Sequence, residues 1–319
     1  MEDKNEQKVK NEQKAKDEQK VKNEQKVQNN KKRNKSKEEQ EFLSSYHPED
    51  YERPSVTVDM VLLAIGNDEA ENYRKLPEKK LKVLLVKRKE YPFKGNRALP
   101  GVFATPKETL EEAALRGLKK ETGIDNIYLE QLYTIGTPDR DPRTWVITCA
   151  YMALVQQEKI STLSEAEEAE WFDVSLKVVR EQKEQKKEIV TSETDYALNL
   201  TKGKEVCTAV VRKKQCYKNG TSRTEYEILE NDGLAFDHAH IITLAIERLR
   251  GKIEYTDVSF HLVPEKFTLT ELQNVYETVL DTELLPANFR RKIAGKVEET
   301  EEYAQSAGHR PSKLFRKAL

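Results

Sequence analysis

The chain contains few cysteines, and they are far apart. Cys149, Cys207 and Cys216 are the three cysteines among its 319 residues. This number and this spacing argue against a disulfide framework and against a cysteine metal cluster, and they suit a reducing compartment. We therefore predict a cytoplasmic protein.

Long apolar runs are missing as well. No stretch approaches the ~18 apolar residues that a membrane helix needs, and the N-terminal residues lack the apolar core of a signal peptide. We therefore expect no membrane partner. The net charge of −1 argues neither for nor against a nucleic-acid partner, and 319 residues leave room for about two domains.

The N-terminal region repeats a six-residue unit, KNEQKV, with small variations over residues 4–27. Such a period advances a helix by ~240° modulo a turn, so successive apolar residues fall on different faces and form no seam. We predict that residues 1–42 are a charged, low-complexity, disordered tail. The alternative is an arm that binds DNA nonspecifically through Lys31, Lys32 and Arg33, but the interspersed glutamates weaken it.

Residues 43–232 have the pattern of an α/β domain. Four apolar, β-branched runs predict strands at 56–65, 81–86, 127–135 and 145–155, and a helix lies between the second and the third. This order predicts an α/β (α+β) mixed sheet packed between helices.

The end of this domain is less regular, and we expect a late extension at about 190–232. We interpret the charged stretch from Lys177 to Lys187 as a helix or a linker. Two β-like runs surround Asn219-Gly220, a dipeptide that favours a hairpin turn.

The stretch from Leu99 to Ile124 has the pattern of a loop, a helix and a second turn. Leu110, Ala113, Ala114 and Leu118 form an apolar stripe at helical spacing, and Gly123 stands where a helix C-terminal glycine belongs. The stretch resembles the Nudix box, the signature of the Nudix hydrolase superfamily. Six residues match this box in register: Glu108, Arg116, Leu118, Glu121, Gly123 and Ile124.

Three positions depart from the box. Val102 stands at its opening glycine, and Gly117 and Lys120 stand at two of its glutamates. In Nudix hydrolases the box glutamates hold divalent cations, because three carboxylates at relative positions i, i+3 and i+4 share one helix face. Here only Glu121 remains, and Lys120 adds a cation. We therefore predict a degenerate metal site at Glu121, without Mg²⁺, another cofactor or catalytic residues.

The alternative is a Nudix ADP-ribose pyrophosphatase with residual metal-dependent activity. In that case Glu121 and a carboxylate such as Glu112 or Glu170 would rebuild the metal site. We instead hypothesise that Lys120 replaces part of the metal's charge and contacts the pyrophosphate of a bound ligand directly.

The segment from Thr137 to Arg143 (TPDRDPR) contains two arginines and two aspartates among prolines. One interpretation is an ordinary surface turn with internal ion pairs. The other is a phosphate clamp, because arginine presents a planar fork that suits phosphate. The segment also resembles a loop of ADP-ribose-binding Nudix proteins. Our candidate ligand-binding residues are Arg97, Lys120, Glu121, Arg140 and Arg143.

A second domain is predicted over 233–319. Residues 234–249 have helical periodicity, and His238 and His240 lie on opposite sides of that helix, which argues against a metal pair. Thr268 and Glu271 form a capping-box signature, and Pro286 suits the first position of the next helix. Two short strand-like runs follow. This order of helix, turn, basic helix and basic hairpin is typical of a winged helix-turn-helix.

The basic helix at 287–294 has two faces. Phe289 and Ile293 are spaced i,i+4 and would face a core, whereas polar and basic side chains would face a DNA groove. A charged helix that only improves solubility is the alternative. Our candidate DNA-binding residues are Asn288, Arg290, Arg291 and Lys292 in this helix and Arg310, Lys313 and Arg316 in the wing.

Together these features resemble the Nudix-related transcriptional regulator (NrtR) family over roughly residues 50–319. The matching stretches are Arg53–Asp59, the altered box, Leu234–Ala239, Pro264–Thr268, Asn288–Lys292 and Arg310–Arg316. The resemblance implies a homodimeric bacterial repressor that binds double-stranded operator DNA and responds to ADP-ribose or a related nucleotide-sugar effector. Members typically control NAD biosynthesis genes. A binding module without DNA is a third possibility, and the effector, the operator and the controlled genes stay open.

Overall fold

A computed structural model describes residues 36–67, 79–123, 127–156, 169–304 and 311–318, without the side chains of Glu121 and Thr122. The chain divides into two compact units, 1–53 and 54–319. In the first unit, helix α1 spans Lys37–Ser45. Residues 1–35 of the predicted disordered tail lie outside the described residues. For residues 37–42 the prediction was wrong, because they belong to α1, which Ser36 caps by accepting a hydrogen bond from the backbone N–H of Glu39. In the described ranges, no helix is long and apolar enough to cross a membrane.

The second unit is built on a ten-stranded mixed sheet. Its strands are β1 Ser55–Asn67, β2 Lys79–Lys87, β3 Arg97–Ala98, β4 Gly101–Phe103, β5 Tyr128–Ile135, β6 Val146–Val155, β7 Ala169–Lys186, β8 Ile189–Lys202, β9 Glu205–Lys218 and β10 Thr221–Asp232. The strand order is β10-β9-β8-β7-β2-β1-β6-β5, with β3 paired to β2 and β4 to β1. Strands β1 and β6 run parallel, and the other pairs are antiparallel. The predicted α/β mixed sheet is confirmed.

Side chains of β1 alternate between two cores, as the period of two in a strand requires. Val58, Met60 and Leu62 face helix α2 (Leu110–Thr122), which covers one side of the sheet. Val61, Leu63 and Ile65 face the opposite side, which is covered by helix α3 (His238–Ile253). Strand β1 and its parallel neighbour β6 are therefore buried on both faces, which explains their continuous apolar sequence.

The charged stretch 177–187 is neither a helix nor a linker, so that interpretation was wrong. Residues up to Lys186 continue β7, which pairs with β8 from Asp173↔Thr201 to Lys186↔Ile189. The side chains of residues 177–186 are exposed, so apolar periodicity gives no signal there. An ion pair instead joins this stretch to β8, between Arg180 and Glu193 at 3.3 Å.

The hairpin predicted at Asn219-Gly220 is confirmed. It joins β9 and β10, and the two residues have φ values of 50° and 77°. Both values lie in the left-handed region that a type I′ turn needs.

The C-terminal part contains the predicted helix-turn-helix and wing. Helix α4 spans Leu269–Leu280, helix α5 spans Pro286–Ile293, and strands β11 (Val297–Ala304) and β12 (Ser312–Lys317) form an antiparallel pair. Thr268 and Glu271 make the predicted capping box, and Pro286 begins α5. Phe267 and Phe315 exchange backbone hydrogen bonds of 3.0 and 2.8 Å, which fasten the wing to the start of α4.

One apolar core extends from the sheet into this C-terminal part. It includes buried residues of the sheet, such as Leu63, together with Ile246 of α3, Leu272 of α4 and Phe289 of α5. The predicted domain boundary at 232/233 stays a prediction. Helix α3, which follows it, packs both against the sheet and against the C-terminal part.

Candidate functional site

The Nudix-like loop and helix keep their internal bracing. Thr109 caps α2 and forms a capping box with Glu112, and Gly123 ends the helix in the left-handed conformation with φ 68°. Arg116 donates to both carboxylate oxygens of Glu108 at 2.9 and 2.7 Å and to the carbonyl of Phe103 at 2.9 Å. The hydrogen bonds from Arg116 lower the pKa of Glu108 to about 2. These hydrogen bonds fix the loop to the helix.

Two of the altered box positions are in contact. A Cβ atom placed on Gly117 would lie 2.9 Å from Cε of Met60 and 3.1 and 3.2 Å from the two methyl carbons of Val102. In the family pattern, residue 102 is the glycine and residue 117 is the glutamate. Here the bulk has moved from 117 to 102, so the two substitutions compensate in volume. The isopropyl group of Val102 occupies space that the first atoms of a glutamate side chain at position 117 would need.

A Nudix-type divalent cation does not fit the residues that are present. Gly117 offers no ligand, Lys120 is a cation, and the side chain of Glu121 lies outside the described residues. Among the side chains that are described, no group of three or more His, Cys, Asp or Glu could hold a metal ion.

A polar cavity of about 290 Å³ opens beside the box. Strands β1 and β4, the loop 137–143 and the segment 236–238 contribute its walls. The lining includes Asp59, Gly101, Phe103, Arg88, Arg140, Asp141, Arg143, Phe236 and His238. Gly101 is required there, because a Cβ on it would lie 2.5 Å from Oδ1 of Asp59.

Arg140 is a buried side chain of the cavity wall, 5% exposed. Its guanidinium donates to the two carboxylate oxygens of Asp237 at 2.9 and 2.6 Å, and to Asp59 at 3.3 Å. Burial alone would lower the pKa of Arg140, but Asp237 and Asp59 more than offset burial and raise it. The guanidinium therefore stays charged.

Arg143 lies at the mouth of the cavity and bonds to Asp141 within its own loop, at 2.9 and 2.6 Å. Arg88 lies nearby, with its guanidinium carbon 4.8 Å from the centre of the Phe236 ring. Burial and the positive charge of Arg143 lower the pKa of Arg88. Arg88 and Arg143 thus both lie against the Phe236 ring, and Arg140 lines the same cavity. Guanidinium groups beside an aromatic ring suit an anionic ligand that carries a ring system.

His238 supports the cavity floor from below. Its Nδ1 accepts a hydrogen bond of 2.9 Å from the backbone N–H of Leu99. Burial lowers the pKa of His238, so the ring is neutral and can accept this bond. His240 stacks on Tyr226 at 4.4 Å instead, so the two histidines do not share a site.

Two predicted ligand residues lie away from this cavity. Arg97 is buried and bonds to both oxygens of Glu205 at 2.7 Å, and it also pairs with Glu170. It fastens β3 to the β8–β9 turn and to β7, and it does not line the cavity. Lys120 is exposed on α2 and does not line the cavity either. The ligand contact that the sequence suggested for Arg97 would require it to release two carboxylates.

The sequence did not single out Arg88, Phe236, Asp237 or His238 as ligand residues. The sequence marks Leu234–Ala239 as part of a family resemblance and as the start of a helix, and it raises His238 only as a metal ligand that it then argues against. The role of this segment depends on a contact across 97 residues of chain, between Arg140 and Asp237, which no local pattern reveals.

Helix α5 presents the predicted faces. Phe289 and Ile293 are 2% and 1% exposed, and they pack inward. Asn288, Arg290, Arg291 and Lys292 are exposed. Arg291 donates to Oδ1 of Asn288 at 3.3 Å, so two of the predicted DNA-binding side chains lie together. Lys292 bends back, 3.5 Å from Glu254 and 5.3 Å from the Tyr276 ring centre.

Two basic side chains of the wing, which the sequence predicted to contact phosphates, form ion pairs with glutamates of the same hairpin. Lys313 pairs with Glu299 at 2.5 Å, and Arg316 pairs with Glu298 directly across the hairpin. Both predicted phosphate contacts are therefore partly neutralised within the wing. Arg310, the third predicted wing residue, lies outside the described residues.

Comparisons with known proteins agree with this geometry. Residues 259–316 match the NrtR DNA-binding winged helix domain, and residues 76–192 match the NUDIX domain. The chain is 33% identical over 286 residues to the ADPR responsive transcriptional repressor NtrR of Acinetobacter baylyi, covering 88% of this chain and 89% of that protein. It is 44% identical over 98 residues to an ADP-ribose pyrophosphatase of Methanocaldococcus jannaschii, covering 31% of this chain and 58% of that enzyme.

Solved structures show the same arrangement. A MutT/nudix family protein from Enterococcus faecalis superposes with a TM-score of 0.62 at 30% identity, over 90% of this chain and 95% of that one. Shewanella oneidensis NrtR complexed with a 27mer DNA gives a TM-score of 0.55 at 28% identity, over 82% of this chain and 93% of that one.

Proposed function

The chain belongs to the NrtR family of transcriptional regulators. We propose that it is a repressor that responds to ADP-ribose. The observation that carries the proposal is the joining of an arginine-lined cavity to a winged helix in one compact unit. The A. baylyi relative of similar length is a repressor that responds to the same ligand. The S. oneidensis relative has been seen on DNA.

ADP-ribose suits the cavity chemically. Its pyrophosphate is a bidentate partner for Arg140 and Arg143, as arginine forks favour. The Phe236 ring, with the Arg88 guanidinium against it, provides a stacking surface for an adenine or a ribose. The cavity of about 290 Å³ lies at the small end of ligand pockets, so we expect it to widen around the nucleotide.

On DNA, we propose that helix α5 enters the major groove. Asn288 and Arg291 then face base edges, and Arg290 and Lys292 face the flanks. A homodimer would place two such helices on a palindromic operator in the cytoplasm, with half-sites one helical turn apart. Lys313 and Arg316 of the wing would meet phosphates after releasing their carboxylates.

We further propose that the Nudix domain is catalytically inactive. The alternative, residual hydrolysis, is favoured by the local similarity to an ADP-ribose pyrophosphatase. It would require a rebuilt metal site, but the carboxylates suggested for it are already engaged. Glu112 caps its own helix through Thr109, and Glu170 pairs with Arg97 and Lys202.

One preparation of the full chain tests both proposals. Operator DNA from the region upstream of the gene is titrated at two salt concentrations, with and without ADP-ribose. A repressor shifts the DNA, loses affinity as salt rises, and releases the DNA when ADP-ribose is added. The same sample, incubated with ADP-ribose and Mg²⁺, is assayed for AMP. AMP at an ordinary enzymatic rate would overturn the inactive assignment, and an unshifted operator would overturn the DNA assignment.

A further inference from the structure

Asp237 occupies two structural roles at once. It is the residue before the first turn of α3, and its carbonyl accepts hydrogen bonds from His240 and Ile241 at 3.0 and 3.3 Å. Aspartate at such a position ordinarily accepts a bond from a backbone N–H of its own helix. In α3 this side-chain cap is absent. The carboxylate is directed instead at Arg140, which it binds through both oxygens.

The Asp237 carboxylate thus occupies the position on the Arg140 guanidinium that an anionic ligand would occupy. A phosphate presents the same paired oxygens to a guanidinium as a carboxylate does, at similar distances. Arg140 is a buried side chain of the cavity wall, so a ligand phosphate that reached it would compete directly with Asp237. The displaced carboxylate has a second partner at hand, the first backbone N–H groups of α3.

The segment before Asp237 is held in an uncommon backbone shape. Phe236 has φ 52°, a left-handed conformation that is unfavourable for a bulky residue. Its ring is fixed by Phe93 at 4.8 Å and by Arg88 at 4.8 Å, both from the loop beside the cavity. Arg88 and Phe236 both line the cavity, so a ligand that contacts them alters what holds the start of α3.

The far end of α3 holds the DNA-binding part. Arg250 donates to the carbonyl of Val279, at the end of α4, and to the carbonyl of Leu176 in β7, both at 3.0 Å. Between these ends, Glu247 accepts hydrogen bonds from Tyr196, Lys213 and Tyr226 at 2.7, 2.7 and 3.0 Å. Helix α3 is therefore a continuous connection from the cavity to the helix-turn-helix.

We infer that Arg140 is a latch, shared between the effector cavity and helix α3. In the state described here, Asp237 holds Arg140. When ADP-ribose binds, its pyrophosphate takes the Arg140 guanidinium, the Asp237 carboxylate turns to cap α3, and the start of the helix moves. The motion reaches α4 through Arg250 and changes the placement of α5. This inference rests on the proposed function, because it describes how that same site controls DNA binding.

Asp237→Asn in the full chain tests the latch. Asparagine caps helices as well as aspartate, but it carries no charge to hold Arg140. We expect the Kd for ADP-ribose, measured by calorimetry, to fall about tenfold, because the intramolecular competitor is gone. We also expect the ratio of operator affinities without and with ADP-ribose to fall toward one, because half of the switch is already released.

Asp195→Asn is the matched control. It frees Arg212 from an equivalent bidentate ion pair between β8 and β9, and Asp195 does not line the cavity. We expect its operator-affinity ratio to stay within about twofold of the unmodified protein. Thermal unfolding verifies that both variants fold, and Asp237→Ser, another good helix cap, takes the place of Asp237→Asn if the latter is unfolded.

The outcomes separate the two levels of the proposal. If the unmodified protein binds neither ADP-ribose nor operator, the proposed function fails and the latch falls with it. If it binds both, but Asp237→Asn leaves the Kd and the affinity ratio unchanged, only the latch is overturned. A weaker Kd with an unchanged ratio would also overturn it, because Asp237 would then be a ligand contact rather than a competitor.

Discussion

The arginines of the cavity and those of helix α5 are in opposite situations. Arg140 is 5% exposed and bound by Asp237 and Asp59, whereas Arg290 and Arg291 project from a short helix into solvent. A buried cation must be paired, because desolvation otherwise costs several kcal/mol. An exposed cation is hydrated and screened, so it stays available for a phosphate or a base. The pairing with Asp237 stabilises Arg140, and in the proposed latch a ligand phosphate replaces that partner.

The comparison is tested most severely by Arg140→Ala. It leaves Asp59 and Asp237 without their shared cation, and we expect the free energy of unfolding to fall by about 3 kcal/mol. ADP-ribose binding should be lost as well. Urea denaturation measures the first effect and calorimetry the second. Arg291→Ala, on the exposed side of the comparison, should stay within about 0.5 kcal/mol of the unmodified protein. Equal stabilities for the two variants would contradict the distinction.

A second prediction concerns the space beside Gly117 that Val102 occupies. Gly117→Glu brings a Cβ within 3.2 Å of Met60 and Val102, so we expect a loss of about 2 kcal/mol in the free energy of unfolding from overpacking. Adding Val102→Gly should recover part of that loss, because it removes the two Val102 contacts and leaves the 2.9 Å contact with Met60. Gly251→Glu, on α3 with open space around it, is the control for placing a glutamate in a helix and should be tolerated.

The same series asks whether hydrolysis can return. The chain with Val102→Gly, Gly117→Glu and Lys120→Glu has the full set of box glutamates, and we expect it to release AMP from ADP-ribose in the presence of Mg²⁺. Hydrolysis by the Gly117→Glu variant alone would show that Val102 does not block the site.

On DNA, Arg291→Ala is expected to weaken operator binding by about tenfold, which is ~1.4 kcal/mol, and to relax base preference at one position. Fluorescence anisotropy with operator variants measures both. Lys292→Ala should have a smaller effect, because its ammonium already lies near Glu254 and the Tyr276 ring. If the lysine variant lost more affinity than the arginine variant, the assignment of the two faces of α5 would be wrong.

The smallest effect is expected in the wing. Glu299→Gln releases Lys313 from an exposed ion pair, so the lysine can contact a phosphate. We expect affinity for the operator to rise about twofold and the slope of log affinity against log salt to steepen by about one. A slope that stays constant would indicate that Lys313 does not reach the DNA.

Sequence patterns were most informative where one face of an element is buried. The box helix, strands β1, β2, β5 and β6, the capping box at Thr268 and the inward pair Phe289/Ile293 all follow from apolar periodicity or from cap residues. The exposed half of β7 could not be predicted, because the side chains of residues 177–186 are exposed and apolar spacing carries no information there. Its shape is fixed by pairing with β8, a partner that the sequence does not name.

The site was only half predictable for a related reason. The sequence predicts Arg140 and Arg143 as candidates because arginines among prolines and aspartates are locally distinctive. The partners that decide their behaviour, Asp141 and Asp237, differ in kind. Asp141 is two residues from Arg143, and the sequence allowed for that pair as an internal ion pair. Asp237 is 97 residues from Arg140, and only the folded chain brings the two together.

The core shared by the sheet and the winged helix also has a genetic consequence. Leu63, Ile246 and Leu272 belong to one apolar cluster, so damage to the sheet also removes support from the DNA-binding part. Most loss-of-function alleles in the ligand-binding region should therefore derepress the target genes, because the whole protein unfolds. Alleles that lock the genes off should be rare and confined to surface residues of the cavity, which can change without disturbing that cluster.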